Sequence, residues 1–278
     1  LIRDGMIEKV EKGKKVPPGY RKWDMSGKTI YAGFIDPYLL TGVNSGKLLD
    51  LKHDQQHLRA TAGLSFIGTP STRADPGEKG PGFEVSGVHP ENKGINGFQP
   101  DEEKWKNLRK HGFTIAHLAP SVGILRGTGP CVLLGQDNPN QLTLKEEVAQ
   151  VMAFDPVGKN QSPPVYPNSL MGALAVIRQA FLDVIHAQET TLYLKKKTSP
   201  KLHLPHAGIR SLQKVLNDKE PFPVWIEPGS CLMENRALIL SQEFGIHPVI
   251  IATGDEWRRP DLALSKDHSY ISPLLFPA

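Results

Sequence analysis

Apolar residues recur at the spacing of one helical face in several segments of this chain. The clearest series is Leu170, Leu174, Ile177, Phe181 and Ile185. Asn168 or Ser169 precedes that series as a suitable N-cap. Asp101 and Gly112 bracket an earlier helical segment, and Gly245 follows a later one as a stop signal. The pattern therefore predicts helices over 101–112, 168–185, 207–216 and 232–244.

Short, mostly apolar runs lie between these helical segments and predict β-strands over 113–119, 131–134, 222–227 and 247–252. Strands that are nearly continuously apolar and are separated by helices indicate a parallel sheet that is covered on both faces. A (β/α) barrel and an open doubly wound sheet both fit this alternation. The spacing of the elements does not distinguish them.

The beginning of the chain has a different pattern. An Asp4-Gly5 turn between two short apolar runs predicts a tight hairpin, and Pro17, Pro18 and Gly19 predict a further turn. Short strands are predicted at 23–25 and 29–35. A helix is predicted over 47–60, and residues 68–100 are rich in Gly and Pro and predict a long irregular excursion.

Composition excludes several classes of protein. The 278 residues are 39% hydrophobic and 22% charged, as is ordinary for a globular chain large enough for one barrel-sized domain. With 33 basic and 29 acidic residues the net charge is +4, which does not favour nucleic acid. Cys131 and Cys231 are the only cysteines, too few for a disulfide framework or a cysteine zinc site. The most apolar run, 170–185, is interrupted by charged and polar residues, so no membrane span is predicted.

One segment, residues 27–42, resembles the first barrel strand of the amidohydrolase superfamily, whose pattern is GKxxxPGFIDxHxH. The matching residues are Gly33, Phe34, Ile35 and Asp36. Residues 108–114 and 120–129 resemble an LRxxGFTT…P…GIxRG run, and residues 167–172 with 177–179 fit the same bacterial, imidazolonepropionase-like branch. The resemblance implies a partial TIM-like (β/α) barrel of the metal-dependent hydrolase type over 32–278. Part of a small β-sandwich would occupy 1–31.

The metal-ligand positions that the resemblance implies do not hold histidine. Tyr38 and Leu40 stand in the two first-strand slots, Glu227 stands in the fifth-strand slot, and Thr253 lies in the sixth-strand segment. Leucine has no lone pair to give a metal, and neutral tyrosine is a poor donor, whereas zinc prefers imidazole, thiolate or carboxylate. No metal ligand is assigned, and zinc or another divalent ion is expected only if the family chemistry is retained.

Three carboxylates, Asp36, Glu227 and Asp255, follow or end predicted strands at the edge where barrel active sites lie. Buried together, they could serve as acid and base without a metal. The alternative is that Asp255 caps the next helix and Asp36 binds backbone. Tyr38, Leu40 and Thr253 are the expected pocket residues.

Two functions remain open. By resemblance the protein is a hydrolase of C–N bonds in amides or cyclic amides whose metal site is lost. The alternative is a non-catalytic homologue that binds a small molecule or a protein partner in the old pocket. A small-molecule ligand is expected, without nucleic acid or membrane. A homo-oligomer is compatible with the sequence. The chain begins at Leu1 rather than methionine and reads as an internal fragment, so both a cytoplasmic and an exported location stay open.

Other candidate groups were weighed against simpler explanations. His53 and His57 have the spacing of a zinc pair, but a polar surface helix is favoured because no third ligand is evident. His117 lies in an apolar strand and is predicted to be a core histidine rather than a base. The glycine-rich segment 123–129 contains Arg126, and a tight turn is favoured over an anion-binding loop.

Overall fold

The structure is a computed structural model that describes residues 1–3, 6–12, 15–41, 82–155, 166–196, 205–217 and 219–272. The chain divides into two compact units, Leu1–Gly33 and Phe34–Ala278. The predicted Asp4-Gly5 turn, the helix over 47–60 and the His53–His57 pair lie outside the described residues. So does the first part of the predicted excursion.

In the first unit, β1 (Ile2–Arg3) pairs antiparallel with β2 (Met6–Ile7). The strand predicted at 23–25 is wrong, because this segment has no partner among the described residues and Trp23 is 71% exposed. The strand predicted over 29–35 begins only at Phe34 and belongs to the second unit. That this first unit is part of a β-sandwich stays a prediction.

The second unit contains two sheets with helices. Its strands are β3 (Phe34–Thr41), β4 (Phe113–Pro120), β5 (Leu125–Thr128), β6 (Cys131–Leu133), β7 (Thr143–Lys145), β8 (Gln150–Ala153), β9 (Val224–Glu227), β10 (Pro248–Ile251) and β11 (Ser269–Ile271). Its α-helices are α1 (Glu102–Lys110), α2 (Pro139–Leu142), α3 (Leu170–Lys195), α4 (Ala207–Gln213), α5 (Cys231–Glu243) and α6 (Pro260–Ala263). Short 3-10 helices lie at Gly94–Gly97 and Glu256–Arg258.

The larger sheet has the strand order β11-β10-β9-β8-β5, and the smaller sheet has the order β3-β4-β6-β7. Strands β8 to β11 are parallel, and so are β3 and β4. The predicted parallel arrangement is therefore present, but β5, β6 and β7 pair antiparallel with their neighbours. A closed barrel is not found among the described strands, which form two separate sheets.

The chain crosses from the larger sheet to the smaller one between β5 and β6. Gly127 has a φ of +88°, which a side chain rarely adopts, and Pro130 has no N–H for a sheet ladder. The Pro130 carbonyl accepts a hydrogen bond from Leu118 N on β4 at 2.9 Å. Residues 127–130 therefore connect β5 in the larger sheet to β6 in the smaller sheet.

Two apolar clusters cover the outer faces of the sheets. In the first, Met152, Ile226 and Ile250 of the larger sheet are buried with residues of α3 and α5. In the second, Leu39 and Leu118 of the smaller sheet are buried with residues that include Trp105 and Phe98. Because side chains alternate along a strand, the neighbours of these residues belong to the opposite faces of the two sheets.

Helix α3 is the longest helix, and Ser169 caps it by accepting from Gly172 N at 3.2 Å. By length and composition alone it could span a membrane. In its most apolar window, however, 39% of the residues are buried in the protein. One side packs into the first cluster through Ala173, Val176, Ile177, Ala180, Phe181 and Val184. A single helix of this kind is weak evidence of a membrane span, because core helices have the same composition.

The cap of α1 gives a direct test of the helix signals. Asp101 accepts a hydrogen bond from Lys104 N at 3.2 Å, and Gly112 follows the helix with a φ of +90°. Replacing Asp101→Ala removes this acceptor and is expected to lower the free energy of unfolding by about 1 kcal/mol. Urea unfolding measures the change, and Lys106→Ala on the exposed side of the same helix is the control. Equal effects of the two substitutions would contradict the capping role.

Candidate functional site

Polar and aromatic side chains of both sheets meet on the faces opposite the two apolar clusters. On β9, Val224 and Ile226 belong to the first cluster, so Trp225 and Glu227 face the other way. The Trp225 ring lies 4.4 Å from that of His117 on β4 and 6.2 Å from that of Tyr38 on β3, measured between centroids. The space between the sheets is therefore lined by residues of β3, β4, β5 and β9.

The centre of this site is a buried ion pair. Arg126 Nη1 on β5 donates to Glu227 Oε2 at 2.7 Å, and the Tyr38 hydroxyl donates to the same oxygen at 2.9 Å. Arg126 Nη2 lies 4.0 Å from Asp155 Oδ2, and Arg126 Nε donates to the Gly123 carbonyl at 3.0 Å. The side chains of Arg126 and Asp155 are 2% and 3% exposed. One guanidinium is thus shared between two carboxylates, a phenol and a backbone carbonyl.

Burial and neighbouring charges determine the charge states of Arg126 and Tyr38. Burial by itself would lower the pKa of Arg126. The Glu227 carboxylate, helped by Tyr38 and Asp155, raises that pKa above its ordinary value. Burial, and then the charge of Glu227, raise the pKa of Tyr38 well above its ordinary value. At neutral pH the site therefore contains a cationic guanidinium and a neutral phenol.

His117 is a buried histidine of the same site and is 3% exposed. Its Nδ1 lies 3.1 Å from the Pro37 carbonyl, and its Nε2 has no hydrogen bond of ordinary geometry among the described residues. Burial lowers its pKa to about 4, although the Pro37 and Gly129 carbonyls act in the opposite direction. His117 is consequently neutral near pH 7, as expected of a core histidine.

The three predicted carboxylates have different surroundings. Glu227 binds Arg126 and Tyr38. Asp36 accepts from the Tyr38 backbone N–H at 3.0 Å, and burial raises the pKa of its half-buried side chain. Asp255 lies 3.6 Å from Arg258 Nε, in the turn after β10. No hydrogen bond joins these three carboxylates within the described residues, so a shared acid–base role stays a prediction.

The predicted pocket residues are also separated. Tyr38 contacts Glu227 directly, and Leu40 is half-buried two residues further along β3. Thr253 lies in the turn after β10, where its N–H and hydroxyl both donate to Glu256 Oε1, at 2.6 Å and 3.0 Å. Thr253 and Glu256 thus contact each other in the turn that leads into the 3-10 helix Glu256–Arg258. Asp255 is the N-cap residue of that helix, but its side chain forms no capping hydrogen bond.

Sequence reasoning missed three residues of this site, namely Arg126, Asp155 and Trp225. Arg126 was assigned to a turn, whereas the structure places it in strand β5. The available signal was a lone charge in a segment whose other residues are apolar residues, glycines and one threonine, which indicates burial and therefore a buried counter-ion. Nothing in the sequence shows that the counter-ion is Glu227, which lies 101 residues away.

The described residues at the positions that the sequence resemblance assigns to metal ligands do not form a zinc site of ordinary composition. Among the described residues, no group of three His, Cys, Asp and Glu side chains could share a metal ion. The carboxylate available at these positions is Glu227, and its Oε2 already accepts from Arg126 and Tyr38. A catalytic zinc ion ordinarily requires three protein ligands, so Glu227 alone is insufficient.

Comparison with known proteins supports the general fold. No protein family model and no curated protein match this chain. A solved structure, an amidohydrolase from Thermotoga maritima, is similar over 99% of this chain with a TM-score of 0.74 and 19% sequence identity. This chain covers 65% of that protein's length. The mixed α/β fold is thus similar to that of an amidohydrolase, as the first-strand segment predicted, and at this identity the likeness concerns the fold alone.

Proposed function

We propose that this protein is a non-catalytic homologue of the amidohydrolases that binds a small molecule between its two sheets without a metal ion. The observation that carries the proposal is the 2.7 Å hydrogen bond between Arg126 Nη1 and Glu227 Oε2. Through this bond Arg126 places a fixed positive charge beside Glu227, the carboxylate that stands at one of the family's metal positions. The imidazolonepropionase-like branch and a partial (β/α) barrel remain part of this proposal.

The charge of Arg126 disfavours a divalent cation at Glu227. A divalent ion about 4 Å from a guanidinium is repelled by roughly 8 kcal/mol at an effective dielectric constant of about 20. Displacing Arg126 from Glu227 would not remove this cost, because its side chain is 2% exposed and its charge would stay buried. The site is therefore better suited to retaining its internal cation than to exchanging it for zinc.

Metal analysis of the full-length protein tests this proposal. We expect zinc far below one ion per chain after purification with added zinc, and an unfolding temperature that does not change with EDTA. Hydrolysis of a panel of lactams and amides should show no turnover above buffer. Zinc near one ion per chain, together with EDTA-sensitive unfolding, would contradict the proposal.

Ligand binding can be followed through Trp225, because its half-buried ring lies beside Tyr38 and His117. We expect members of the same lactam and amide panel to change the tryptophan emission of the protein. The matched variants are Trp225→Phe, which should lose the signal, and Trp257→Phe, which should keep it because Trp257 is 70% exposed in the 3-10 helix Glu256–Arg258. A fluorescence change that persists in Trp225→Phe would mean that the ligand binds elsewhere.

A second candidate function is hydrolysis that uses carboxylates in place of a metal. The observation that favours it is Asp36, whose pKa is raised by burial and whose side chain is half-buried. A carboxyl with a raised pKa is suited to general acid–base catalysis near neutral pH. If any lactam or amide is turned over, Asp36→Asn should abolish the activity and Asp137→Asn, on the surface, should not. Unchanged turnover in Asp36→Asn would remove this candidate.

A further inference from the structure

A second cluster of buried titratable side chains joins helix α5 to strand β11, away from Arg126 and Glu227. Glu234, in the first turn of α5, is 1% exposed. The Tyr270 hydroxyl on β11 donates a hydrogen bond to Glu234 Oε1. The ring of His268, just before β11, packs edge-to-face on the Tyr270 ring at 4.6 Å. These three residues, Glu234, His268 and Tyr270, are called the α5–β11 cluster.

The surroundings of His268 are unusual for a histidine. Its side chain is 0% exposed, and neither ring nitrogen has a hydrogen-bond partner among the described residues. The nearest anion is Glu234, whose Oε1 lies 3.5 Å from His268 Nε2. That same oxygen already accepts from Tyr270. A proton on His268 would therefore add a buried charge with one imperfect partner, which is unfavourable.

We propose that the α5–β11 cluster is an acid-sensitive latch, which holds β11 on the sheet at neutral pH and releases it in mild acid before the rest of the sheet opens. Strand β11 is suited to local opening because its pairing with β10 covers three residues, and no other described strand pairs with it. The hydrogen bond from Tyr270 to Glu234 links β11 to α5, and the Tyr270 ring also packs against the first apolar cluster. The latch is independent of any ligand between the sheets.

The sign of the effect follows from the burial of His268. In the closed form burial lowers its pKa below the ordinary value of about 6.5, and Asp267 only partly opposes this. Opening exposes the ring to water and restores the ordinary pKa. The open form then binds the proton more tightly, so its population rises as the pH falls below about 6.5. One proton changes the opening equilibrium at most about tenfold per pH unit.

Glu234 acts in the opposite direction. Burial raises its pKa, the Tyr270 hydrogen bond lowers it, and the charges of Glu256, Arg259 and Asp261 in the following turn and helix contribute with both signs. A carboxyl with a raised pKa in the closed form binds its proton more tightly there, so its protonation favours closure. Glu234→Gln abolishes protonation at this position and with it the opposing effect on closure. The amide oxygen of the glutamine can still accept the hydrogen bond from Tyr270.

Hydrogen exchange on the full chain tests the latch at pH 7 and at about pH 5.5, with the rates corrected for intrinsic exchange. We expect the peptide covering 265–272 to open several-fold more often at the lower pH, while the peptide covering 222–229 on β9 does not change. His268→Phe keeps the ring packing and removes the titrating nitrogens, so its 265–272 exchange should become independent of pH. Glu234→Gln should retain or enlarge the acid effect.

The control is His186→Gln, because His186 is an exposed histidine on α3 and should leave the wild-type acid effect intact. His268→Asn provides a second non-titrating variant if His268→Phe does not fold. Parallel acceleration of the β9 and β11 peptides in the wild type would overturn the proposal. So would an undiminished acid effect in the His268 variant that folds.

Discussion

Replacing Arg126→Met is expected to lower the free energy of unfolding by about 3–5 kcal/mol. The methionine fills much of the same volume, but it leaves Glu227 and Asp155 buried without the guanidinium that lies 2.7 Å and 4.0 Å from them. The Tyr38 hydroxyl still donates one hydrogen bond to Glu227, but a neutral phenol does not replace the positive charge of the guanidinium. Urea unfolding of the full chain, followed by tryptophan fluorescence and by circular dichroism, measures the change.

The matched control is Arg178→Met on helix α3. Arg178 also forms an ion pair, with Nε 2.8 Å from Glu243 Oε1, but the two side chains are 43% and 38% exposed. Its loss should therefore cost less than about 1 kcal/mol. Adding Glu227→Gln to Arg126→Met removes the buried negative charge of Glu227, which has lost its ion-pair partner, and should recover part of the stability. Equal effects of Arg126→Met and Arg178→Met would contradict a buried, essential pairing at Arg126.

Replacing Gly127→Ala is expected to be the second largest perturbation, at roughly 3 kcal/mol or more. Gly127 follows Arg126 in β5 with a φ of +88°, and a Cβ added there would lie 2.2 Å from the Asn92 carbonyl oxygen. That carbonyl accepts from Thr128 N at 2.8 Å and cannot retreat without breaking this bond. The clash therefore involves backbone on both sides and should also displace Arg126.

Gly245 provides the control for backbone conformation alone. It has a φ of +66°, and an added Cβ there would meet nothing within 4 Å. Gly245→Ala should consequently cost only the strain of the left-handed conformation, about 1–2 kcal/mol. The difference between the two glycine variants in urea unfolding isolates the clash with Asn92. Similar losses of stability in both variants would mean that the backbone around Asn92 can shift to relieve the clash at little cost.

The effect of Arg126→Met depends on contacts of Arg126 that the sequence does not predict. From the sequence, the glycine-rich segment 123–129 predicts a tight turn, since it lacks the lysine and Ser/Thr of a P-loop and leads into no clear helix. In the structure Gly123 and Gly127 have positive φ, but Gly127 lies inside the buried strand β5, which carries Arg126 between the sheets. The strand forms because its backbone pairs with β8, which is distant in sequence from residues 123–129.

The sequence by itself determined those elements of the second unit whose signals are local. Asp101 and Ser169 cap α1 and α3 as predicted, while Gly112 follows α1 and Gly245 follows α5 as predicted stop signals. The parallel strands β9 and β10 follow from apolar runs between helices. These features depend on hydrogen bonds and backbone conformations within a few residues, and the sequence records them directly.

The tertiary structure alone decided which charges meet. Tyr38 and Glu227 are 189 residues apart, and Arg126 and Glu227 are 101 residues apart. Their contacts depend on strand order, on the crossing between sheets at Gly127 to Pro130, and on which strand face each residue occupies. The first-strand segment predicts an amidohydrolase-like fold, but it does not predict these contacts. That Tyr38 and Glu227 share a guanidinium follows from packing, because burial of a charge requires a partner that only the folded chain can supply.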